Sequence, residues 1–242
     1  MLARFLAAVA AMVAVVAASN FLVQFPVDLQ FGAVHVGDIL TWGAFTYPVA
    51  FLVTDLTNRA FGPARARLVV VAGFAVAVIL SVWLATPRIA IASGTAFLVA
   101  QFLDISIFHR LRHGAWWQAP IFSSLVSSAL DTMIFFSLAM APAFAAIDAV
   151  FGMDDSSLPF PAPLLGVGPD VELWISLGFG DFLVKLVLAV ILLAPYKTLR
   201  GWLAGREDLR AGRQIDDPAS CDEIAADVGR QRPQALEAVD PI

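Results

Sequence analysis

The chain has 242 residues, 60% of them hydrophobic and 14% charged, with a mean hydropathy of +0.81. Soluble domains run ~45–50% apolar and ~25% charged, so this composition excludes an ordinary water-soluble fold. The net charge of −5 excludes a nucleic-acid binder resting on a basic surface, and the lone Cys221 excludes a disulfide framework or a cysteine-rich metal site. A polytopic membrane protein remains, with the lipid bilayer as its first partner.

A membrane helix needs ~20 largely apolar residues. Six stretches meet or approach that length: Phe5–Val23, Ile39–Asp55, Leu68–Ala85, Ile89–Phe108, Ala119–Ile147 and Leu173–Ala194. The first begins with Arg4 and carries small residues at Ala17, Ala18 and Ser19, as a signal peptide does. Five further apolar segments follow it, so a retained first span is expected. The second contains Pro48, which a span tolerates where neighbouring helices serve the freed carbonyl. The fifth is overlong; either it tilts, or Pro142 ends it and the remainder lies at the interface. Between the fifth and sixth spans, Asp154–Pro169 holds Pro159, Pro161, Pro163 and Pro169 and reads as irregular, with Phe160 and Leu164 folded onto the mouth.

Basic residues set the topology. With the N-terminus inside, the cytoplasmic segments carry Arg4, then Arg59, Arg65 and Arg67, then Arg110 and Arg112, then Lys197, Arg200, Arg206, Arg210 and Arg213. The opposite side has only Arg88, in a short turn, and an acidic loop with Asp154, Asp155, Asp170 and Glu172. The expected fold is therefore all-α, with six transmembrane helices over residues 1–197 and both termini cytoplasmic. Residues 198–242 mix Arg, Asp, Glu, Gly, Pro and Gln and read as a disordered cytoplasmic tail.

Ionisable side chains near the bilayer centre cost ~2.5–3.5 kcal/mol each even on lenient scales, so each asks for a partner or a purpose. At ~1.5 Å per residue, Asp131, Asp181 and Lys185 share the middle of the bilayer. Asp55 and Asp104 fall nearer the cytoplasmic side, and Asn20 in the outer half. The fourth and fifth spans repeat a pattern: Gln101-Phe-Leu-Asp104 aligns with Ser128-Ala-Leu-Asp131 at a spacing of 27. Helical geometry places Ser93, Phe97, Gln101 and Asp104 on one stripe and Ser124, Ser128 and Asp131 on another. Two such stripes describe a lined cavity better than a lipid-facing surface.

Other residues have plainer readings. Ser123, Ser127, Gly178 and Gly180 fit close helix packing. Lys185 has two candidate partners, Asp181 four residues away and Asp131 on the neighbouring span, and the sequence leaves the choice open. Trp42, Trp83, Trp116, Trp117 and Trp174 fall at span ends, as the aromatic belt predicts. His109 and His113 have no carboxylate or Cys at ligand spacing, so neither a metal nor a cofactor is expected. A Walker A loop and an intramembrane Ser–His pair are both missing, so an ATPase or a protease has no apparatus. The polar groups suit binding of a small polar solute rather than a reaction.

The stretch Tyr47-Pro-Val-Ala-Phe-Leu-Val-Thr-Asp55-Leu-Thr-Asn58-Arg-Ala-Phe-Gly62-Pro-Ala-Arg65, followed by Arg67 and Gly73-Phe74, resembles the queuosine precursor transporter, or vitamin uptake transporter, family. So do Ala92-Ser93 through Phe97, Gln101, Asp104 and Phe108; Asp131-Thr132 through Phe135; Ser19-Asn20; and Lys185 ten residues before Pro195-Tyr196. Two departures are Trp116-Trp117-Gln118, where the family is expected to place a basic residue after the aromatic, and Arg59, where an acidic one is expected. The resemblance implies import of 7-deazaguanines such as preQ0 and preQ1 across a bacterial inner membrane. It also implies six helices similar to the substrate-binding subunits of energy-coupling-factor transporters. An alternative in the same class is a binding subunit for a vitamin-like solute that needs a separate energising module.

A guanine-like ring offers adjacent N–H donors that a buried carboxylate accepts in strong, charge-assisted hydrogen bonds. Direct recognition is therefore expected from Asp131 first, then from Asp104 with Gln101. Asn20, Gln101, Asn58 or Ser128 would meet the remaining polar atoms, and Phe97, Phe135 or a tryptophan would cover the flat face. Asp55, Asn58, Lys185 and Asp181 are expected in gating or support.

Overall fold

In the computed structural model, residues 2–23, 25, 27–28, 30–31, 34–35 and 40–202 are described. The predicted start of the second span, Ile39, and almost all of the 198–242 tail lie outside them. Within the packed unit Met1–Lys197, α1 (Leu2–Leu22) is followed by β1 (Gln30–Phe31) and β2 (Val34–His35), which pair antiparallel. Then come α2 (Gly43–Thr46), α3 (Val49–Phe61), α4 (Pro63–Leu84), α5 (Pro87–Leu111) and α6 (Gln118–Met140). A 3-10 turn and α7 (Ala146–Val150) precede β3 (Pro161–Pro163), β4 (Asp170–Glu172) and α8 (Leu173–Ile191), and after a turn at Leu192 residues 193–202 continue as helix.

Five of these helices, α1, α4, α5, α6 and α8, are long and apolar enough to cross a membrane. Their surfaces are inverted relative to a soluble bundle. Leu68, Val71, Ile79, Trp83, Met133, Val187 and Val190 point outward, while Asp55, Asn58, Gln101, Asp104, Asp131 and Lys185 are buried. Lipid-facing apolar side chains around a polar interior mark a multi-pass membrane protein. The stretch of the predicted second span holds α2 and α3, split at Tyr47-Pro48, and neither piece reaches spanning length. Pro48 lacks an N–H and sets the start of α3.

Without a hydrophobic drive between helices in lipid, small residues decide where backbones come together. On α5 the buried positions Ala92, Ala96 and Ala100 recur every fourth residue, and on α6 Ser123 and Ser127 do the same. These two helices form the most extensive helix pair of the fold. Between α1 and α4 the close approach is made at Gly73, where a Cβ would stand 2.6 Å from the Met12 Cγ. One apolar core gathers Met12, Val16, Ala50, Val69, Val70, Phe97 and Ile105 from four helices.

Helix ends follow their sequence signals. Gly62, at φ 83°, takes a left-handed conformation that only glycine adopts without cost, and Pro63 starts α4 directly after it. Of the two readings of the overlong stretch Ala119–Ile147, a tilt or an end at Pro142, the structure shows the helix ending there. Helix α6 stops at Met140, Ala141 is extended, and Pro142 opens a 3-10 turn. Two further readings are corrected. The 154–169 loop is not wholly irregular, since β3 pairs with β4 in register Ala162↔Val171. Phe160, expected on the mouth, is 61% exposed.

The two ends of the bundle differ. At one, Phe5 packs edge-on against Phe61, Arg59 donates to the Arg112 carbonyl, Phe108 meets Tyr196, and Lys197 lies 5.3 Å from the Trp116 ring centre. This is the basic end. The opposite end is organised by Arg88, read from sequence as a turn residue and in fact fully buried. Its Nε donates to the Leu138 carbonyl at 2.8 Å and its Nη2 to the Ala141 carbonyl, serving C-terminal carbonyls of α6. Its Nη1 reaches Asp148 at 2.7 Å, Ser157 at 3.0 Å and Asp155 at 3.5 Å. Burial pushes the Asp148 carboxyl up, but hydrogen bonds from Ser156 and Arg88 outweigh it, and the group stands below the usual carboxylate range. Hydrogen bonds from Ser157 hold Asp155 down as well.

Candidate functional site

Helices α3, α5, α6 and α8 bring the polar side chains together in two groups. The first is built by α6 and α8. Lys185 Nζ donates to Asp131 Oδ2 at 2.7 Å and to Thr132 Oγ1 at 3.1 Å, and it pairs with Asp181 Oδ2 at 2.5 Å. Thr132 in turn donates to Asp181 at 2.8 Å. Lysine therefore takes both candidate partners at once, and the closed ring of contacts leaves two carboxylates sharing one cation. The Lys185 ammonium also lies 5.8 Å from the Tyr47 ring centre, a cation–π distance.

The second group is built by α3, α5 and α6, closer to the basic end. Asp55 on α3 and Asp104 on α5 are buried at 2% and 0% exposure, on helices joined by the hydrogen bonds of Thr54 to Gln101 and of Asn58 to the Ile105 carbonyl. Neither finds a cation among the described residues. Ser123 directs its hydroxyl toward the Pro120 carbonyl at 3.4 Å. Gln101, one turn before Asp104, accepts from the Thr54 hydroxyl at 2.6 Å through its Oε1. Asn58, one turn after Asp55, donates to the Ile105 carbonyl at 2.9 Å.

Around this second group, buried polar atoms lack hydrogen-bond partners among the described residues: Asp55 Oδ1, both oxygens of Asp104, Asn58 Oδ1, Gln101 Nε2 and Ser127 Oγ. Burying such atoms unserved costs ~1–3 kcal/mol each, and native proteins keep few of them. Four of the six are carboxylate or amide oxygens, which only accept. Gln101 Nε2 donates only. Next to this group a cavity of about 20 Å³ is lined by Asp55, Ser124, Ser128 and Lys185, with Pro48, Phe51, Leu52, Ala189 and Leu192 as its apolar wall. That is room for about one water molecule.

The predicted stripes hold in their inner parts. Gln101 and Asp104 reach the second group, Ser128 the cavity, and Asp131 the lysine ring. Three predicted residues stand elsewhere. Asn20 donates its amide to the Val16 carbonyl of its own helix at 2.9 Å, on α1, which packs against α2, α3 and α4. Phe97 is part of the apolar core and meets Tyr47 edge-on at 6.0 Å. Ser93 lies instead in a larger, mostly apolar cavity of about 340 Å³ between α4 and α5, beside Ser81 and Phe74. Sequence reading assigned Ser123 to helix packing alone and gave no role to Thr54 or Tyr47 beyond their place in the motif. Thr54 is the immediate neighbour of Asp55, and Tyr47 lies two turns before it, so their spacing on the same segment was the available signal.

The family model described as "Putative vitamin uptake transporter" matches residues 41–86 and 78–199, the region that holds α2 to α8 and every residue of both polar groups. The chain belongs to the vitamin uptake transporter family. Members of this family are transporters, so the protein is a transporter and not an enzyme. Among curated relatives, a protein of Haemophilus influenzae named "Probable queuosine precursor transporter" is 34% identical over 75% of this chain and 79% of its own length. The Escherichia coli K12 "Queuosine precursor transporter" is 31% identical over the same shares. A Bacillus subtilis relative, also named "Probable queuosine precursor transporter", is 24% identical over 64% of this chain and 69% of its own. No solved structure matches this family member.

Proposed function

We propose that this transporter imports queuosine precursors, 7-deazaguanines of the preQ0 and preQ1 kind, across a bacterial inner membrane. The observation that carries the reading is the set of unserved polar atoms around Asp55 and Asp104. The Watson–Crick edge of a 7-deazaguanine presents a ring N–H and an exocyclic amine as donors beside one carbonyl acceptor. The carboxylates of Asp104 and Asp55, with Asn58 Oδ1, complement the donors, and Gln101 Nε2 complements the carbonyl. Charge-assisted bonds of this kind are about twice as strong as neutral ones. In this reading Ser128 extends the site along the cavity, and Asp131, Lys185 and Asp181 form its charged wall. Asn20 and Phe97 support it through helix packing.

We further propose six crossings with both ends cytoplasmic, similar to the substrate-binding subunits of energy-coupling-factor transporters. Two contacts support this count. Gly43 lies against Val23 at the far end of α1, and Phe61 lies against Phe5 at its start. The α2–α3 pair therefore carries the chain back along α1. The basic end then faces the cytoplasm.

Ligand pockets of ~300–1,000 Å³ are usual for small molecules, so a cavity of about 20 Å³ belongs to a closed form. Loading requires α3 and α8 to part. The run of helix is split at Tyr47-Pro48, between α2 and α3, and Pro48 lines the cavity. Rotation about this break would open it. Uptake tests the proposal: cells blocked in precursor synthesis should regain queuosine in their tRNA when given preQ0 and this protein. Asp104→Ala and Asp131→Ala should insert normally and lose rescue by tenfold or more. Full rescue by both would overturn the assignment of the site.

A further inference from the structure

We infer that Asp131, Asp181 and Lys185 form a subsite that reads the arm on the solute's five-membered ring and selects an arm ending in an ammonium group over one ending in a neutral acceptor. The inference rests on the reading of the Asp55 and Asp104 group as the site of the ring's donor edge, and it gives that site a cause of specificity.

The hydrogen-bond inventory leads here. Lys185 Nζ stands 2.7 Å from Asp131 Oδ2, 2.5 Å from Asp181 Oδ2 and 3.1 Å from Thr132 Oγ1. An ammonium has three N–H donors, and these three neighbours take one each. Thr132 directs its own hydroxyl proton to Asp181 at 2.8 Å. The cluster therefore has no donor left for an incoming acceptor. Acceptors it has in excess. Every contact of the two aspartates runs through Oδ2, and Oδ1 of each receives no hydrogen bond among the described residues.

The charge balance points the same way. Two carboxylates face one ammonium, and no second cation is ion-paired with either of them among the described residues. With both carboxylates ionised the cluster carries one net negative charge. Asp131 and Lys185 are buried at 3% and 4% exposure, and an uncompensated charge at such depth is costly. The Tyr47 ring, 5.8 Å from Nζ, offers a negative π face and no positive charge. A cationic arm brings the cluster to neutrality, whereas a neutral arm leaves the excess in place.

Position joins this cluster to the solute site. The cavity beside Asp55 is also lined by Lys185 and by Ser124 and Ser128 of α6. Asp131 follows Ser128 by three residues on the same face of that helix, so one stripe runs from the cavity to the lysine cluster. One wall of the cavity thus holds Asp55, buried with its Oδ1 unserved, and another holds the donor-saturated ammonium. In a 7-deazaguanine the donor edge belongs to the six-membered ring, and the C7 arm leaves the five-membered ring on the opposite flank. With the donor edge on Asp55 and Asp104, the arm extends toward Asp131 and Asp181, where its ammonium donates to the two Oδ1 atoms. No covalent bond forms or breaks.

Calorimetric titration of the full chain in detergent decides this, with 7-deazaguanine, 7-cyano-7-deazaguanine and 7-aminomethyl-7-deazaguanine as probes. The wild type should bind the aminomethyl compound about tenfold more tightly than the cyano compound. In Asp181→Asn and in Asp131→Asn, each of which removes the excess charge, that ratio should fall to about twofold or less. A purely structural role for these residues would weaken both compounds alike and preserve the ratio. Equal affinities in the wild type, or a preference for the cyano arm, overturn the subsite and leave the functional reading intact. So does a ratio that survives in both variants. If a variant fails to fold, the wild-type ratio and the remaining variant decide. Failure of all three probes to bind removes the functional reading and the subsite together.

Discussion

Lys185 shows how one residue can hold a membrane interior together. It pairs with both Asp131 and Asp181 across two helices, and its removal strands two carboxylates in oil. Breaking a buried pair by deleting one partner typically costs ~3–5 kcal/mol. We expect Lys185→Met to lower the melting temperature of the detergent-solubilised protein sharply. The triple change Lys185→Met, Asp131→Asn and Asp181→Asn should recover most of that loss, since no uncompensated charge remains. The sequence showed all three residues at one depth but could not choose between Asp131 and Asp181, because spacing along a chain says nothing about distance across it. Arg88 was misplaced for a related reason. Counting charges per side treats it as a lone cation in a turn, whereas its partners Asp148, Asp155 and Ser157 lie some 60 residues on.

At the scale of helices, most boundaries were legible. Prolines at 63, 87 and 142, glycine at 62 and the four-residue recurrence of small side chains announce starts, stops and contact faces. What escaped was the split at Tyr47-Pro48 and the packing of α1, which takes Asn20 away from the carboxylates. The α1–α4 contact gives a direct test. A methyl at position 73 would overlap Met12, and overpacking of a tight contact costs ~1–3 kcal/mol. Gly73→Ala should reduce thermal stability by that amount, and Met12→Ala in the same chain should restore part of it. The Arg88 cluster gives another. Asp148 and Asp155 sit below their ordinary range in the folded protein. Their contribution is present above the unfolded carboxylate value, ~3.9, and is lost as pH falls through the depressed folded values. Melting followed downward from about pH 6 should therefore fall most steeply in the acid limb. Asp148→Asn should be less stable at neutral pH and flatter in its acid dependence.

Across the whole molecule, the hydropathy pattern was enough to establish a membrane protein, and the inverted surface agrees with it. The sequence could not reveal that the interior is closed, since cavity volume depends on how α3 and α8 lean together. That closure makes a mechanical forecast. In a Cys221→Ser background, Leu52→Cys and Ala189→Cys place thiols on opposite walls of the same cavity. A short bifunctional thiol reagent should abolish precursor uptake, and a reducible version should restore it after reduction. Uptake that persists in the linked protein would show that these walls do not separate.

The guanidinium of Arg88 has a consequence for that motion. By gripping α5 at its first turn, the carbonyl terminus of α6 and the segment around Asp148 with a single side chain, it fastens two long rods together at one tip. Helix α5 has 25 residues, a rod of roughly 37 Å, so a tilt of a few degrees about that tip displaces its other end by a few ångströms. The clasp is thus a fulcrum, and the leverage it provides is delivered toward the half of α5 that carries Asp104.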